Sequence, residues 1–170
     1  MDEIEGLQVL RHRYRDRVDL GFTGTRHGMT LRQWERVERI IQGLTKMGGH
    51  HTWHDGDCIG ADAQAHAVVK KIKVKFGSNK IRMLGHPSNL DEKYHANNSF
   101  DYRYPPKSPL ARNKDIVEES KVMIAAPNEF DEVKRGSGTW ATIRHARKLN
   151  KPMFIVWPDG SLTVEGVTNG

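Results

Sequence analysis

Four short clusters in this chain combine glycine, hydroxyl, carboxylate and guanidinium groups in ways that suit an anionic ligand. Gly24-Thr25-Arg26 offers close backbone approach, a hydroxyl donor and a guanidinium fork that matches phosphate oxygens. Asp55-Gly56-Asp57-Cys58-Ile59-Gly60-Ala61-Asp62 sets three carboxylates among turn glycines. An Asp there can accept from ribose hydroxyls while a ligand lies against the glycine backbone. Arg112-Asn113 falls in the first turn of a helix, where the dipole disfavours a cation unless an anion neutralises it. Gly136-Ser137-Gly138-Thr139 opens another helix, whose free N–H groups and dipole attract anions. Each cluster also has a plain structural reading: an exposed Arg26 on a turn, a helix capped by Asp57, a solvated Arg112, a tight small-residue turn.

The elements that must position these clusters alternate along the chain. Short apolar strands are expected at 18–23, 50–54, 81–85, 122–126 and 152–157. Thr30 and Gln33 fit a capping box for a helix carrying Trp34, Val37, Ile40, Ile41, Leu44 and Met47, stopped by Gly48-Gly49. A second helix carries Ala61, Ala65, Val68, Val69 and Ile72 and ends at Gly77. Ser108-Pro109 reads as an N-cap with Pro at the first helical position, and Trp140, Ile143 and Ala146 follow the last cluster at helical spacing. Strand–helix alternation implies an α/β fold: a single Rossmann-like, doubly wound, mainly parallel five-stranded sheet with helices on both faces. Residues 1–17 read as a polar N-terminal extension, 18–158 as the domain and 159–170 as a polar C-terminal tail. Ligands of such sheets bind outside the carboxyl ends of the strands, so all four clusters should converge on one edge. Residues 86–108 form a long connection, a length often tied to function.

Composition narrows the classes. A chain of 170 residues suits one domain and can bury roughly 70% of its unfolded surface. No apolar run approaches the ~20 residues that span a bilayer, and the acidic start lacks an apolar signal core. No membrane role is expected. The single Cys58 excludes an internal disulfide and fits a reducing cytoplasm. Near a helix start its pKa could be lowered, but no partner marks it as a nucleophile. His50 and His54 would share a strand face, yet the nine histidines show no zinc spacing, so no metal and no cofactor is assigned. The net charge of +6 fits an anionic small ligand, nucleic acid or simple solubility. The basic run Lys70, Lys71, Lys73, Lys75, Lys80 and Arg82 is the feature that would serve nucleic acid, the weaker of the partner readings. It falls on the edge opposite the ligand crevice.

Taken together, Thr23-Gly24-Thr25-Arg26, Gly56-Asp57-Cys58-Ile59-Gly60-Ala61-Asp62, Ala111-Arg112-Asn113 and Gly136-Ser137-Gly138-Thr139 resemble the SLOG superfamily of Rossmann-like proteins. The resemblance covers about residues 18–158. That superfamily includes the Lonely Guy phosphoribohydrolases, the DNA-processing protein A family and small stand-alone bacterial and phage proteins, the last being the most similar. The resemblance implies a nucleotide-type ligand, with Gly24, Thr25, Gly138 and Thr139 at phosphate, Arg112 assisting, and Asp62 or Asn113 at a sugar or base edge. It also implies a homo-oligomer, for which helix faces with Trp34 or Trp140 could serve.

One departure matters for function. Lonely Guy enzymes carry G-G-x-G-T-x-x-E with a catalytic Glu, whereas Gly138-Thr139-Trp140-Ala141 is followed by Thr142, which cannot act as a carboxylate. A substitute acid would have to come from Asp55, Asp57, Asp62, Glu129 or Asp131, with Asp57 and Asp62 the leading candidates. Three readings follow. The first is a nucleotide sensor or sequestering protein. The second is an N-glycoside hydrolase with a relocated carboxylate. The third is a DNA-binding protein.

Overall fold

A computed structural model describes residues 1–46, 49–77 and 80–169. In chain order the elements are α1 (Glu3–Arg13), β1 (Asp19–Gly24), α2 (Leu31–Thr45), β2 (His51–Asp55), α3 (Ala61–Phe76) and β3 (Ile81–Gly85). They continue with a 3₁₀ turn (Glu92–Tyr94), β4 (Tyr102–Arg103), α4 (Pro109–Glu119), β5 (Val122–Ala126), α5 (Gly138–Lys148), β6 (Met153–Val156) and β7 (Leu162–Glu165). Met47 and Gly48, expected at the end of the α2 pattern, lie outside the described residues.

The strand order is β4-β3-β2-β1-β5-β6-β7, parallel except for the β6–β7 pair. Among the described residues the sheet therefore has seven strands, which corrects the expected five. All five expected strands form; β3 and β5 have the expected bounds and the other three differ by one residue at each end. The additions are both edge strands. β4 is two residues long, too short to show a period, and it exists because the 86–108 connection lays Tyr102 and Arg103 beside Leu84 and Gly85. β7 lies in the polar tail. Its side chains are all half-buried, so the hydrophobic contrast that marks a strand is muted.

Strands β2, β5 and β6 are buried along their whole length, as a parallel sheet covered on both faces requires. One face packs α1, α2 and α3 around Phe22, Trp53, Ile40 and Phe154. The other packs α4 and α5 around Ile116, Met123, Trp140 and Ile155. Trp140 is only 1% exposed and packs near Trp157, so it is unavailable as a surface for self-association. The Thr30–Gln33 capping box forms as expected. Gln33 does more than cap: its buried amide donates to the Pro127 and Val156 carbonyls at 2.8 and 3.0 Å, tying the ends of β5 and β6 together.

The lead-in of residues 1–17, read as a polar extension, holds an 11-residue helix with its own capping box at Asp2 and Glu5. Leu7 and Leu10 enter the main core. Arginines at 11, 13, 15 and 17 obscured that stripe in the sequence. Because Leu10 is fully buried, Leu10→Ala should cost about 2–5 kcal/mol in urea unfolding. A cost within about 0.5 kcal/mol, typical of surface sites, would mean the helix does not belong to the core.

Candidate functional site

Strand order reverses between β1 and β5. At that switch point, beyond the carboxyl ends of the strands, lies a cavity of about 550 Å³. Doubly wound sheets bind ligands at this position because two loops diverge there and leave a crevice.

The cavity gathers residues from all four sequence clusters. Gly24, Thr25 and Arg26 line it from the end of β1, Asp62 from α3, Arg112 and Asn113 from α4, and Gly136, Ser137, Gly138 and Thr139 from the start of α5. Asp55, Gly56, Asp57 and Gly60 are not among its lining residues. Their contacts show what they do instead.

Asp55 is fully buried and accepts from Trp53 Nε1, the Asp57 N–H and His66 Nδ1. Asp57 adopts a left-handed φ of 52°. It accepts from the Asn98 N–H at 2.9 Å and pairs with Arg103, so its carboxylate is committed to the 86–108 connection. It does not cap α3, whose N-cap is Gly60. Gly60 has a φ of 85°, and a side chain there would run into the Arg26 backbone. Gly56 has no such torsional demand, but a Cβ would stand 2.5 Å from Arg112 Nη1. Gly24 is needed for packing, since a Cβ would meet Ala61 at 2.5 Å.

Gly138 is different. It is exposed, and a Cβ there would meet only the Asn113 amide, at 3.6 Å. No protein packing accounts for this glycine. Ser137 caps α5 by accepting from the Trp140 N–H at 3.2 Å, and its carbonyl takes the Ala141 N–H. A helix start leaves its earliest N–H groups without intrahelical partners, here those of Gly138 and Thr139. Thr25 is held by its own turn: its hydroxyl accepts the His27 N–H and its carbonyl accepts from Gly28 and Ala61.

Cations outnumber acids around the cavity. Arg26, Arg112, Lys134, Arg135 and Arg144 line it, against Asp62 and Glu129. Arg26 lies over the Tyr94 ring at 4.9 Å. Arg144 donates to the Val133 and Lys134 carbonyls and so shapes the loop after β5. Arg112, read from sequence as a phosphate contact, spends much of its fork on protein. Nε donates to Asn113 Oδ1 at 2.6 Å, and Nη1 donates to the Gly56 and His86 carbonyls at 2.7 and 3.0 Å.

The two acids differ. Glu129 accepts from Trp140 Nε1 at 3.0 Å. Asp62 is buried and accepts from the Gly56 and Cys58 N–H groups at 3.1 and 3.3 Å. Desolvation, and then the nearby Asp55 charge, push its pKa well above the usual carboxylate range, against the pull of Arg112. Thr142 offers no acid, and its hydroxyl donates to the Gly138 carbonyl at 2.8 Å. Cys58 lines the cavity, but burial pushes its thiol up, and Asp62 adds to that. The expected lowering of the thiol pKa is therefore reversed: desolvation and the Asp62 charge outweigh the pull of Arg112 and Arg26.

Sequence reasoning missed Tyr94, Asn128, Lys134, Arg135 and Arg144 as lining residues. Lys134 and Arg135 directly precede Gly136, so their basic signal was available. Tyr94 was hidden in the long connection, which closes one wall. The basic run of α3 and β3 lies at the opposite end of the sheet, where Lys71 pairs with Glu38 and Lys73 with Asp101.

Solved structures share this architecture. The molybdenum cofactor binding protein of the phototrophic bacterium Rippkaea orientalis superposes with a TM-score of 0.59 at 19% identity, over 83% of this chain and 77% of that one. The protein TM1055 superposes with a TM-score of 0.54 at 15% identity, over 80% and 72%. At these identities the likeness establishes a Rossmann-like fold. No family model matches the chain, and no curated protein does. No helix among the described residues is long and apolar enough to cross a membrane.

The raised pKa of Asp62 has a consequence for stability. Its folded value lies above the ordinary 3.8, so folded protein holds the proton more tightly than unfolded protein. The associated stability is present below the unfolded value and is lost as pH rises through the folded one. Asp62→Asn, which keeps an acceptor for both N–H groups, should gain on wild type between pH 5 and pH 8 in urea midpoint. Parallel pH profiles for the two proteins would show that Asp62 is not proton-linked.

Proposed function

We propose that this protein binds a nucleotide or nucleotide-derived phosphate ligand in the switch-point cavity, as a sensor or sequestering protein of SLOG type. The observation that carries the reading is the unobstructed Gly138 at the start of α5, facing a cavity in which cations outnumber acids. Phosphate placed there meets the N–H groups of Gly138 and Thr139 and the positive end of the helix dipole, which contributes about 0.3–1 kcal/mol in exposed settings. Arg26 and Arg135 are the cations that could close on it. Tyr94 and Leu90 supply an apolar surface for a base, and Asn113 is placed for a sugar or base edge. The cofactor-binding neighbour of the same fold supports a small-ligand partner.

Asp62 supports a second reading. A lining carboxyl with a pKa raised toward neutrality is suited to general acid–base work. In an N-glycoside hydrolase Asp62 would be the relocated acid that Thr142 does not provide. Asp57, committed to Arg103 and Asn98, is poorly placed for that role.

One assay separates the readings. Purified protein is incubated with nucleoside monophosphates, NAD-derived nucleotides and cyclic nucleotides, and both retained ligand and released base are quantified by mass spectrometry. The binding reading expects an intact nucleotide to be retained. Gly138→Val should then weaken binding by about tenfold or more, roughly 1.4 kcal/mol, with little change in Tm, since its Cβ makes only an ordinary contact with the Asn113 amide. Undiminished affinity in that variant would remove the α5 phosphate site. The hydrolase reading expects multiple-turnover release of base, falling by about 10²–10⁴-fold in Asp62→Asn.

A further inference from the structure

On the face of the sheet covered by α4, three side chains distant in sequence meet outside the cavity. His54 at the end of β2 and His86 just after β3 place Nδ1 and Nε2 2.9 Å apart. Glu119, in the last turn of α4, brings Oε2 to 3.8 Å from His54 Nδ1. One ligand atom from each of the three residues can be chosen so that all lie within 4.8 Å of one another. Two imidazoles and a carboxylate are the donor set of three-ligand zinc centres.

The surroundings orient these donors. Thr52 donates its hydroxyl to Asp19 Oδ1 at 2.7 Å, and Arg17 Nε holds the same carboxylate at 2.9 Å. With its proton so committed, the Thr52 oxygen is left to accept from His54 Nε2, 3.3 Å away. His54 is then the Nε2–H tautomer, and its Nδ1 lone pair points at His86. This hydroxyl-backed, carboxylate-backed imidazole is the arrangement that fixes metal-binding histidines. Tyr104 stacks on His86 with centroids 4.3 Å apart and donates to Glu119 Oε2 at 2.8 Å, so one side chain positions both remaining donors.

We propose that His54 Nδ1, His86 Nε2 and the Glu119 carboxylate form a binding site for one divalent transition-metal ion of the zinc class. In the metal-free protein the hydrogen between the rings sits on His86 Nε2. The ion takes its place, and His86 becomes the Nδ1–H tautomer, so no net proton leaves the imidazoles. Nitrogens bonded at about 2.0–2.1 Å in a tetrahedral site stand roughly 3.4 Å apart. The rings must therefore separate slightly, which the parallel stack of His86 on Tyr104 allows. Entry is from the Glu119 side, where that side chain is 41% exposed while His54 is 3%. The site is independent of the nucleotide reading. It nevertheless adjoins the cavity, because the His86 carbonyl is one of the acceptors of Arg112.

The test uses the full chain, stripped with a chelator and titrated at neutral pH with Zn²⁺ by calorimetry and with Co²⁺ by visible absorption. One equivalent of Zn²⁺ should bind and raise Tm, and Co²⁺ should give the intense bands of a tetrahedral centre. His86→Gln should abolish both signals. Glu119→Gln, at an exposed helix end where folding is safe, should weaken Zn²⁺ binding by about tenfold or more. His12→Gln, on exposed surface, should leave it unchanged. Absence of stoichiometric binding, or binding that survives both His86→Gln and Glu119→Gln, would show the pair to be a hydrogen-bonded histidine contact and overturn the proposal.

Discussion

The Arg112 guanidinium sets where the strand ends can stand. Its Nη1 grips the carbonyls of Gly56 and His86, the residues just past β2 and β3, while Nε holds Asn113 beside it on α4. Hydrogen bonds from a charged donor contribute roughly 1.5–3 kcal/mol each. A cation in the first turn of a helix runs against the dipole, and here the Gly56 and His86 carbonyl dipoles offset that cost. The arrangement explains Gly56: any side chain would occupy the space of the guanidinium. It also explains why cavity and histidine pair are neighbours, since one arginine touches the backbone of both regions.

A second set of contacts turns the 86–108 connection into a wall. Asp57, in its left-handed conformation, holds Asn98 and Arg103. Phe100 lies edge-on to His66 and covers Gly85, where a Cβ would meet the ring at 2.7 Å. Cys58 and His95 form an isolated bridge, and the Ile59 N–H donates to the Tyr94 carbonyl. Tyr94 is thereby placed under Arg26 at the mouth of the cavity. The carboxylates that read as candidate chemistry are divided by these contacts. Asp55 and Asp57 are consumed in architecture, and Asp62 is left at the cavity with its charge disfavoured.

Local order was legible where one element carried the whole signal. The period of α2 with its capping box, the buried runs of β5 and β6, and the Pro109 start of α4 are all properties of contiguous residues. The alternation of strand and helix then led to a doubly wound sheet and to one ligand edge. The short edge strands were not legible. β4 has no period of its own, and β7 is half-buried along its length. Helix α1 was masked by arginines whose aliphatic stems and charged heads let them flank a core stripe.

The sequence by itself determined the four clusters, their convergence on one sheet edge and the absence of an acid at Thr142, because these follow from chain order and residue type. Only the tertiary structure decided which members face the cavity. Arg112 and Asp57 carry the same charges in either role, and the partners that decide between them, Gly56 and His86 for Arg112 and Arg103 for Asp57, are 26 to 56 positions away in the chain. Gly24 closes a strand and Gly138 opens a helix, yet it is Gly24 that backs onto a packed alanine while a side chain on Gly138 would meet only the Asn113 amide. The meeting of His54 and His86 was likewise invisible, since parallel pairing brings together residues 32 positions apart with no local pattern to mark them.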